Sequence, residues 1–169
     1  MKVLFSNEEI EERLKEVGEE ITKDYNNEEM KVVVVLKGAF MTAATLVKYI
    51  DNMNLEMEFI RVSSYLDKRE STGKVNVLVD IKEDLTGENI LIVEDIIDSG
   101  NTLNFLKEEY LRRGAKSVKI MSLLDKPSRR KVDITPDYTG FVIEDKFVVG
   151  YGLDNNEKER NIPYVGYID

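Results

Sequence analysis

The 169-residue chain contains no cysteine and no histidine. Without cysteine there is no disulfide, no zinc–thiolate site and no thiol nucleophile. Without histidine the usual general base is gone, and with it any Ser-His-Asp triad. Proton transfer therefore falls to carboxylates or lysines. Positive charge is also scarce: 24 Lys and Arg stand against 33 Asp and Glu, a net charge of −9. That balance argues against nonspecific binding to nucleic acid or to an anionic membrane. No apolar run is long enough to span a bilayer, and Met1–Ser6 offers too few apolar residues for a signal peptide. The expected location is the cytoplasm.

What remains is ordinary for a globular protein, and its length suits one domain, residues 1–169, with a single sizeable core. The chain is organised around Ile90–Leu103. An apolar, β-branched run at 90–93 reads as a buried strand. Glu94 and Asp95 follow at once, and Asp98 opens a small polar loop, Ser99-Gly100-Asn101-Thr102. Leu103, Leu106 and Leu111 then fall near helical spacing. Turn amides and the positive end of a helix suit a phosphate. The neighbouring carboxylates suit a sugar diol or a hydrated magnesium ion. A lone acid–glycine turn would read as a capped strand–helix junction. Three acids and four small or polar residues after one buried strand point instead to a phosphorylated sugar.

Along the rest of the chain, Ser6 and Glu9 fit a capping box. Ile10, Leu14, Val17 and Ile21 form the apolar stripe of a helix over 7–25 that ends at Asn26 and Asn27. The run Val32–Leu36 has the pattern of a strand covered on both faces of a parallel sheet. A turn at Lys37-Gly38-Ala39 follows it, and then a helix over 40–50. Leu55, Met57 and Phe59, and later Val75, Val77 and Val79, alternate with polar residues as two half-exposed strands. Between them, 63–74 reads as a long loop, either a hairpin tip or a lid. Gly114 closes the helix near 101–113, and 117–124 is the next strand. Shorter strands are expected at 141–143, 147–152 and 164–168. The pattern predicts an α/β core plus a small accessory lobe joining the N-terminal and C-terminal segments. Loops at 37–39, 94–102 and 125–130 should converge at the carboxyl ends of strands, with 146–160 closing over them.

The stretch Val93-Glu94-Asp95-Ile96-Ile97-Asp98-Ser99-Gly100-Asn101-Thr102-Leu103 resembles the phosphoribosyl-pyrophosphate (PRPP) motif of type I phosphoribosyltransferases, most of all the hypoxanthine–guanine branch. The likeness extends over about 31–165 and includes Asp125–Arg130 and Asp145–Asp154. It implies the type I phosphoribosyltransferase-like fold, a mainly parallel central sheet flanked by helices with a small hood lobe. It also implies transfer of a 5-phosphoribosyl group from PRPP to hypoxanthine or guanine, giving IMP or GMP, with Mg2+ and a homodimer or homotetramer. On this resemblance Asp98, Ser99, Gly100, Asn101 and Thr102 bind the 5′-phosphate, and Glu94 and Asp95 bind the ribose hydroxyls. Leu36, Lys37 and Gly38 form the pyrophosphate loop, with a non-proline cis peptide between Leu36 and Lys37, and Arg160 helps neutralise pyrophosphate. Asp98 is the acid/base group at purine N7. Lys126, Lys146, Phe147, Val148 and Asp154 surround the purine, while Glu94, Asp95 and Asp154 hold magnesium. Ser64 and Tyr65 begin a catalytic lid. By pattern alone Phe147 and Val148 read as strand core, and Lys126 and Lys146 as surface lysines.

In two places the chain departs from the family pattern. Asn155 and Glu159 stand where aromatic residues are common, which bears on the lid over the base. Competing readings are the same chemistry on xanthine, adenine or a pyrimidine, and a non-catalytic nucleotide- and RNA-binding regulator on the same fold. Lys126 disfavours adenine, because an ammonium only donates. The acidic charge and the retained Asp98 and Lys126 disfavour the regulator.

Overall fold

The computed structural model describes residues 1–64 and 75–169. Tyr65 and the rest of the expected lid lie outside the described residues, and Ser64 enters only as the end of a strand. In chain order the elements are β1 (Lys2–Phe5), α1 (Asn7–Tyr25), β2 (Met30–Leu36), α2 (Phe40–Val47), β3 (Leu55–Ser64), β4 (Val75–Val79), β5 (Asn89–Ile97), α3 (Asn101–Arg112), β6 (Ser117–Asp125), β7 (Tyr138–Val142), β8 (Phe147–Val149) and β9 (Val165–Ile168). A single 3-10 turn, Pro127–Arg129, follows β6.

Six strands form the main sheet in the order β4-β3-β2-β5-β6-β7. All neighbours in it are parallel except the β3–β4 pair at one edge. Parallel strands need cover on both faces, and the side-chain alternation of β2 shows how it is supplied. Val32 and Val34 pack with Ile10, Leu14, Val17 and Ile21 of α1 and Leu46 of α2. Val33 and Val35 pack on the opposite face with Leu103, Leu106 and Tyr110 of α3. Strand β5 divides the same way: Leu91 and Val93 face α1 and α2, Ile90 and Ile92 face α3. The unbroken apolar runs thus serve two cores at once. Each fully buried aliphatic contributes about 1.5–3 kcal/mol before entropy is counted.

Helix α1 begins with both halves of the capping box in place. Ser6 Oγ accepts from the Glu9 amide at 3.1 Å, and the Glu9 carboxylate accepts from the Ser6 amide at 2.8 Å. Such a cap is worth about 1 kcal/mol. At the other end of the sheet, Arg13 of α1 donates to the main-chain carbonyls of Thr139, at 2.7 Å, and Gly140, at 3.0 Å, on edge strand β7.

A second, antiparallel sheet, β1-β9-β8, joins the first strand to the last two. Phe5 stacks on Phe141 with ring centroids 3.9 Å apart, tying β1 to β7. Several boundaries differ from the sequence expectation. Strand β5 does not stop at Val93. Its ladder with β6 continues through Glu94↔Ser122 to Ile97↔Asp125, so both acids lie within the strand. The helix expected over 40–50 stops at Val47, and the strand at 141–143 is instead Tyr138–Val142. The strand at 147–152 ends at Val149, because Gly150, Tyr151 and Gly152 all turn with positive φ. Strand β1 was not expected at all. None of the described helices is long and apolar enough to cross a membrane.

Candidate active site

The carboxyl ends of β2, β5 and β6 carry the residues of interest, and their loops interlock without room for extra atoms. After β2 the Leu36–Lys37 peptide is cis, and the turn brings Gly38 against β5. A methyl group at Gly38 would collide with the Asp95 carboxylate, and one at Gly152 (φ 99°) would collide with the Gly38 carbonyl oxygen. Glycine at both positions is therefore what lets the 36–39, 94–95 and 150–160 segments approach so closely.

Beyond β5 the chain turns through Asp98, Ser99 and Gly100 into α3. Gly100 is the N-cap residue, with φ 83° and no side-chain cap bond, while Ser99 Oγ accepts from the Asn101 amide at 3.2 Å. The first turn of a 12-residue helix is thus open to an anion, with the helix dipole behind it. The turn is braced from β6 and the segment after it. Arg130 donates to the carbonyl of Asp98 at 2.9 Å, to that of Ile134 at 2.9 Å, and pairs with the Asp125 carboxylate. Lys131 donates its amide to the Ser99 carbonyl at 2.9 Å.

Lys126, immediately after β6, is only 7 % exposed. Its ammonium stands 3.7 Å from Asp98 Oδ1 and 3.9 Å from Asp145 Oδ1. Both distances exceed hydrogen-bond reach, so its donors are directed at acids without being consumed by them. Asp145 also pairs with Arg129 at 3.3 Å. Asp98 itself is about half exposed, at the mouth of the α3 cradle.

Glu94 and Asp95 are adjacent carboxylates at the buried end of β5. Burial pushes both above the usual carboxylate range, and for Glu94 the neighbouring Asp95 charge adds to the effect. Each accepts a main-chain amide: Glu94 Oε1 from Asp95 at 3.1 Å, Asp95 Oδ1 from Ile96 at 2.8 Å. Among the described residues no lysine or arginine forms an ion pair with either. Two desolvated carboxylates without a cation are costly on their own. They fit a divalent cation or a sugar diol, which would supply the missing positive charge or donors. Among the described residues no cluster of three metal-ligating side chains is present, so such a cation would complete its shell with oxygens of substrate or water.

The 154–160 turn holds Arg160 beside this edge. Arg160 donates to the Gly152 carbonyl at 2.8 Å and pairs with Glu157 at 3.1 Å and Asp154 at 3.4 Å. Its Nε is buried without a partner among the described residues. Glu157 also pairs with Lys37. Asp154 accepts the Glu157 amide at 2.8 Å.

Most sequence-derived residues therefore meet at one sheet edge: Lys37, Gly38, Glu94, Asp95, Asp98–Thr102, Lys126, Asp154 and Arg160. Three further candidates lie on or just before β8. Lys146 lies with its ammonium 4.3 Å from the centre of the Tyr167 ring, a cation–π contact within the small sheet. Phe147 is 55 % exposed, and Val148 is buried in the α1 core. Asp145, Glu157 and Arg130 were not singled out by sequence reasoning. Each looks like one more charge in a charged loop, and only the fold pairs it with a site residue.

An anion cradle on a helix start, beside paired buried acids at the carboxyl edge of a parallel sheet, defines a class of phosphosugar-binding transferases. The chain belongs to one such family: residues 2–156 match the model of the phosphoribosyl transferase domain. It is 50 % identical to the hypoxanthine-guanine phosphoribosyltransferase of Bacillus subtilis strain 168, over 99 % of this chain and 92 % of that protein. The crystal structure of a hypoxanthine-guanine phosphoribosyltransferase from Bacillus anthracis, with a HEPES molecule in its active site, superposes with a TM-score of 0.94. It is 47 % identical and covers 100 % of this chain and 99 % of that one. A hypoxanthine phosphoribosyltransferase from Staphylococcus aureus gives a TM-score of 0.95 at 43 % identity, covering 100 % and 91 %.

Proposed function

We propose that this enzyme transfers the 5-phosphoribosyl group of PRPP to N9 of hypoxanthine or guanine, releasing pyrophosphate and forming IMP or GMP in cytoplasmic purine salvage. The observation that carries the reading is the donor-rich, acid-faced Lys126 opposite Asp98, one strand away from the open cradle of α3. The α3 cradle, with Ser99 and Thr102, takes the 5′-phosphate. Glu94 and Asp95 take the ribose hydroxyls, directly or through Mg2+, which they would hold, and Asp154 would help hold a second magnesium ion. Magnesium when bound would offset the charge of pyrophosphate. Lys37, the Gly38 backbone and Arg160 would orient that leaving group.

The chemistry then needs few protein atoms. The bond from ribose C1′ to the pyrophosphate oxygen breaks as N9 forms its bond to C1′, and the purine gives up its N7 proton to Asp98. Positive charge gathers on the ribose in between, as in other glycosyl transfers. The Asp95 carboxylate, desolvated beside Gly38, would stabilise such charge.

Base choice follows from donors and acceptors. Lys126 presents only donors, so it matches a 6-oxo group and not a 6-amino group. A main-chain carbonyl left free between Val148 and Asp154 would be satisfied by a 2-amino group and opposed by a 2-oxo group. A mismatched buried polar group costs about 1–3 kcal/mol, or roughly ten- to a hundredfold in specificity. Steady-state turnover of four bases with PRPP and magnesium tests this. Hypoxanthine and guanine should be good substrates, xanthine poor and adenine negligible. Comparable kcat/KM for adenine and hypoxanthine would remove the role given to Lys126.

A further inference from the structure

Glu157 belongs to the 154–160 turn, yet the reaction above gives it nothing to do. Its amide is tied to Asp154, at 2.8 Å, and its carboxylate reaches in two directions. One oxygen pairs with Lys37 Nζ, and the other accepts from Arg160 Nη2 at 3.1 Å. Lys37 and Arg160 are the two cations assigned above to pyrophosphate. A carboxylate presents two anionic acceptor oxygens in a plane, the same kind of ligand as one face of a phosphate at lower charge.

We propose that Glu157 is an internal counter-anion of the pyrophosphate subsite, a positioning residue that holds Lys37 and Arg160 together until the leaving group takes its place. The inference rests on the phosphoribosyl-transfer reading and deepens it. Three features make the exchange feasible. Glu157 is 63 % exposed and Lys37 45 %, so the bridge faces water and is the weak kind of ion pair that a more highly charged anion displaces. Arg160 is more sheltered, at 19 %, and its Nη1 stays fixed on the Gly152 carbonyl. Its buried Nε, which has no partner among the described residues, leaves a donor in reserve. Glu157 can therefore swing out while the guanidinium remains in position. The same carboxylate competes for both cations once more when pyrophosphate leaves, and so favours release.

The test is titration calorimetry of inorganic pyrophosphate with magnesium, on the wild type, Glu157→Gln, Glu157→Ala and Glu83→Gln. Glu83 is an exposed acid on the loop before β5 and carries no role in the site. Removing an exposed ionic competitor should tighten pyrophosphate binding about fivefold in both Glu157 variants, an effect that shrinks in high salt. Glu83→Gln should stay near the wild-type value. In the reverse reaction the KM for pyrophosphate should fall by the same factor while the KM for IMP is unchanged. Equal or weaker pyrophosphate binding in Glu157→Gln and Glu157→Ala overturns the inference, as does equal tightening in Glu83→Gln, which would reduce it to net charge. A wild-type protein that binds no pyrophosphate would overturn the reading of the site itself, and the inference with it.

Discussion

Two buried lysines sit at opposite ends of the main sheet, and only one of them stands beside the candidate site. Lys31, near the start of β2, is 6 % exposed and makes a 2.6 Å hydrogen-bonded ion pair with Glu56 on the neighbouring strand. Lys126, just past the end of β6, is equally buried at 7 %, but its two acids stand 3.7 and 3.9 Å away. Burial alone therefore does not mark a functional lysine. A structural lysine spends its donors on a partner at hydrogen-bond distance. A ligand-binding one is desolvated and charge-balanced while its donors stay free for something else.

The largest expected effect comes from removing the acid that faces Lys126. Asp98→Asn should lower turnover by roughly a hundredfold or more, the usual scale for general acid–base catalysis, while PRPP binding is kept. Near-normal turnover in a folded Asp98→Asn protein would take Asp98 out of the mechanism. Next in size is the contrast between the lysines themselves. Lys126→Met should reduce kcat/KM for hypoxanthine by roughly ten- to a hundredfold, the value of a charged hydrogen bond. Lys31→Met should leave kcat/KM within about twofold and register only as a shift in Tm. Equal kinetic losses at the two positions would erase the distinction.

The smallest effect concerns pH. The hydrogen bond that Lys31 donates to Glu56 raises the Lys31 pKa above its ordinary value, against the opposing effect of burial. A folded-state pKa above the unfolded one means that the native protein holds this proton more tightly. The contribution is complete below the unfolded lysine pKa and is lost as pH rises through the folded one. Chemical denaturation of the wild type should therefore lose up to about 1 kcal/mol of stability on going above the ordinary lysine range, relative to Lys31→Met. A pH-independent difference between the two proteins would show that the pair contributes packing alone.

Much of this architecture was legible in the chain because local signals and global packing agree. The capping box at Ser6, the stripe from Ile10 to Ile21 and the valine run of β2 each have one physical explanation, and the fold uses it. Legibility failed where a partner distant in sequence decides the outcome. Strand β1 is four residues long and pairs with β9, Lys2 opposite Tyr167, so no local pattern marks it. Glu94 and Asp95 break the apolar pattern of β5, yet the ladder with β6 carries them on as strand. At the site, the acids after Val93 stood out because charges seldom follow a buried strand so densely. Asp145 and Glu157 did not, since an acid in a charged loop looks solvated until a cation from elsewhere is brought beside it.

Arg13 has a consequence for the company this molecule keeps. An outermost strand is a template on which another chain can lay its own backbone. By occupying the carbonyls of Thr139 and Gly140, the guanidinium takes up acceptors that an arriving strand would need on β7. Replacing Arg13 by a short apolar residue would uncover those acceptors beside the aromatic pair Phe5 and Phe141. The protein would then gain a tendency to grow sheet to sheet, a cost that would appear as loss of solubility on storage and leave catalysis untouched.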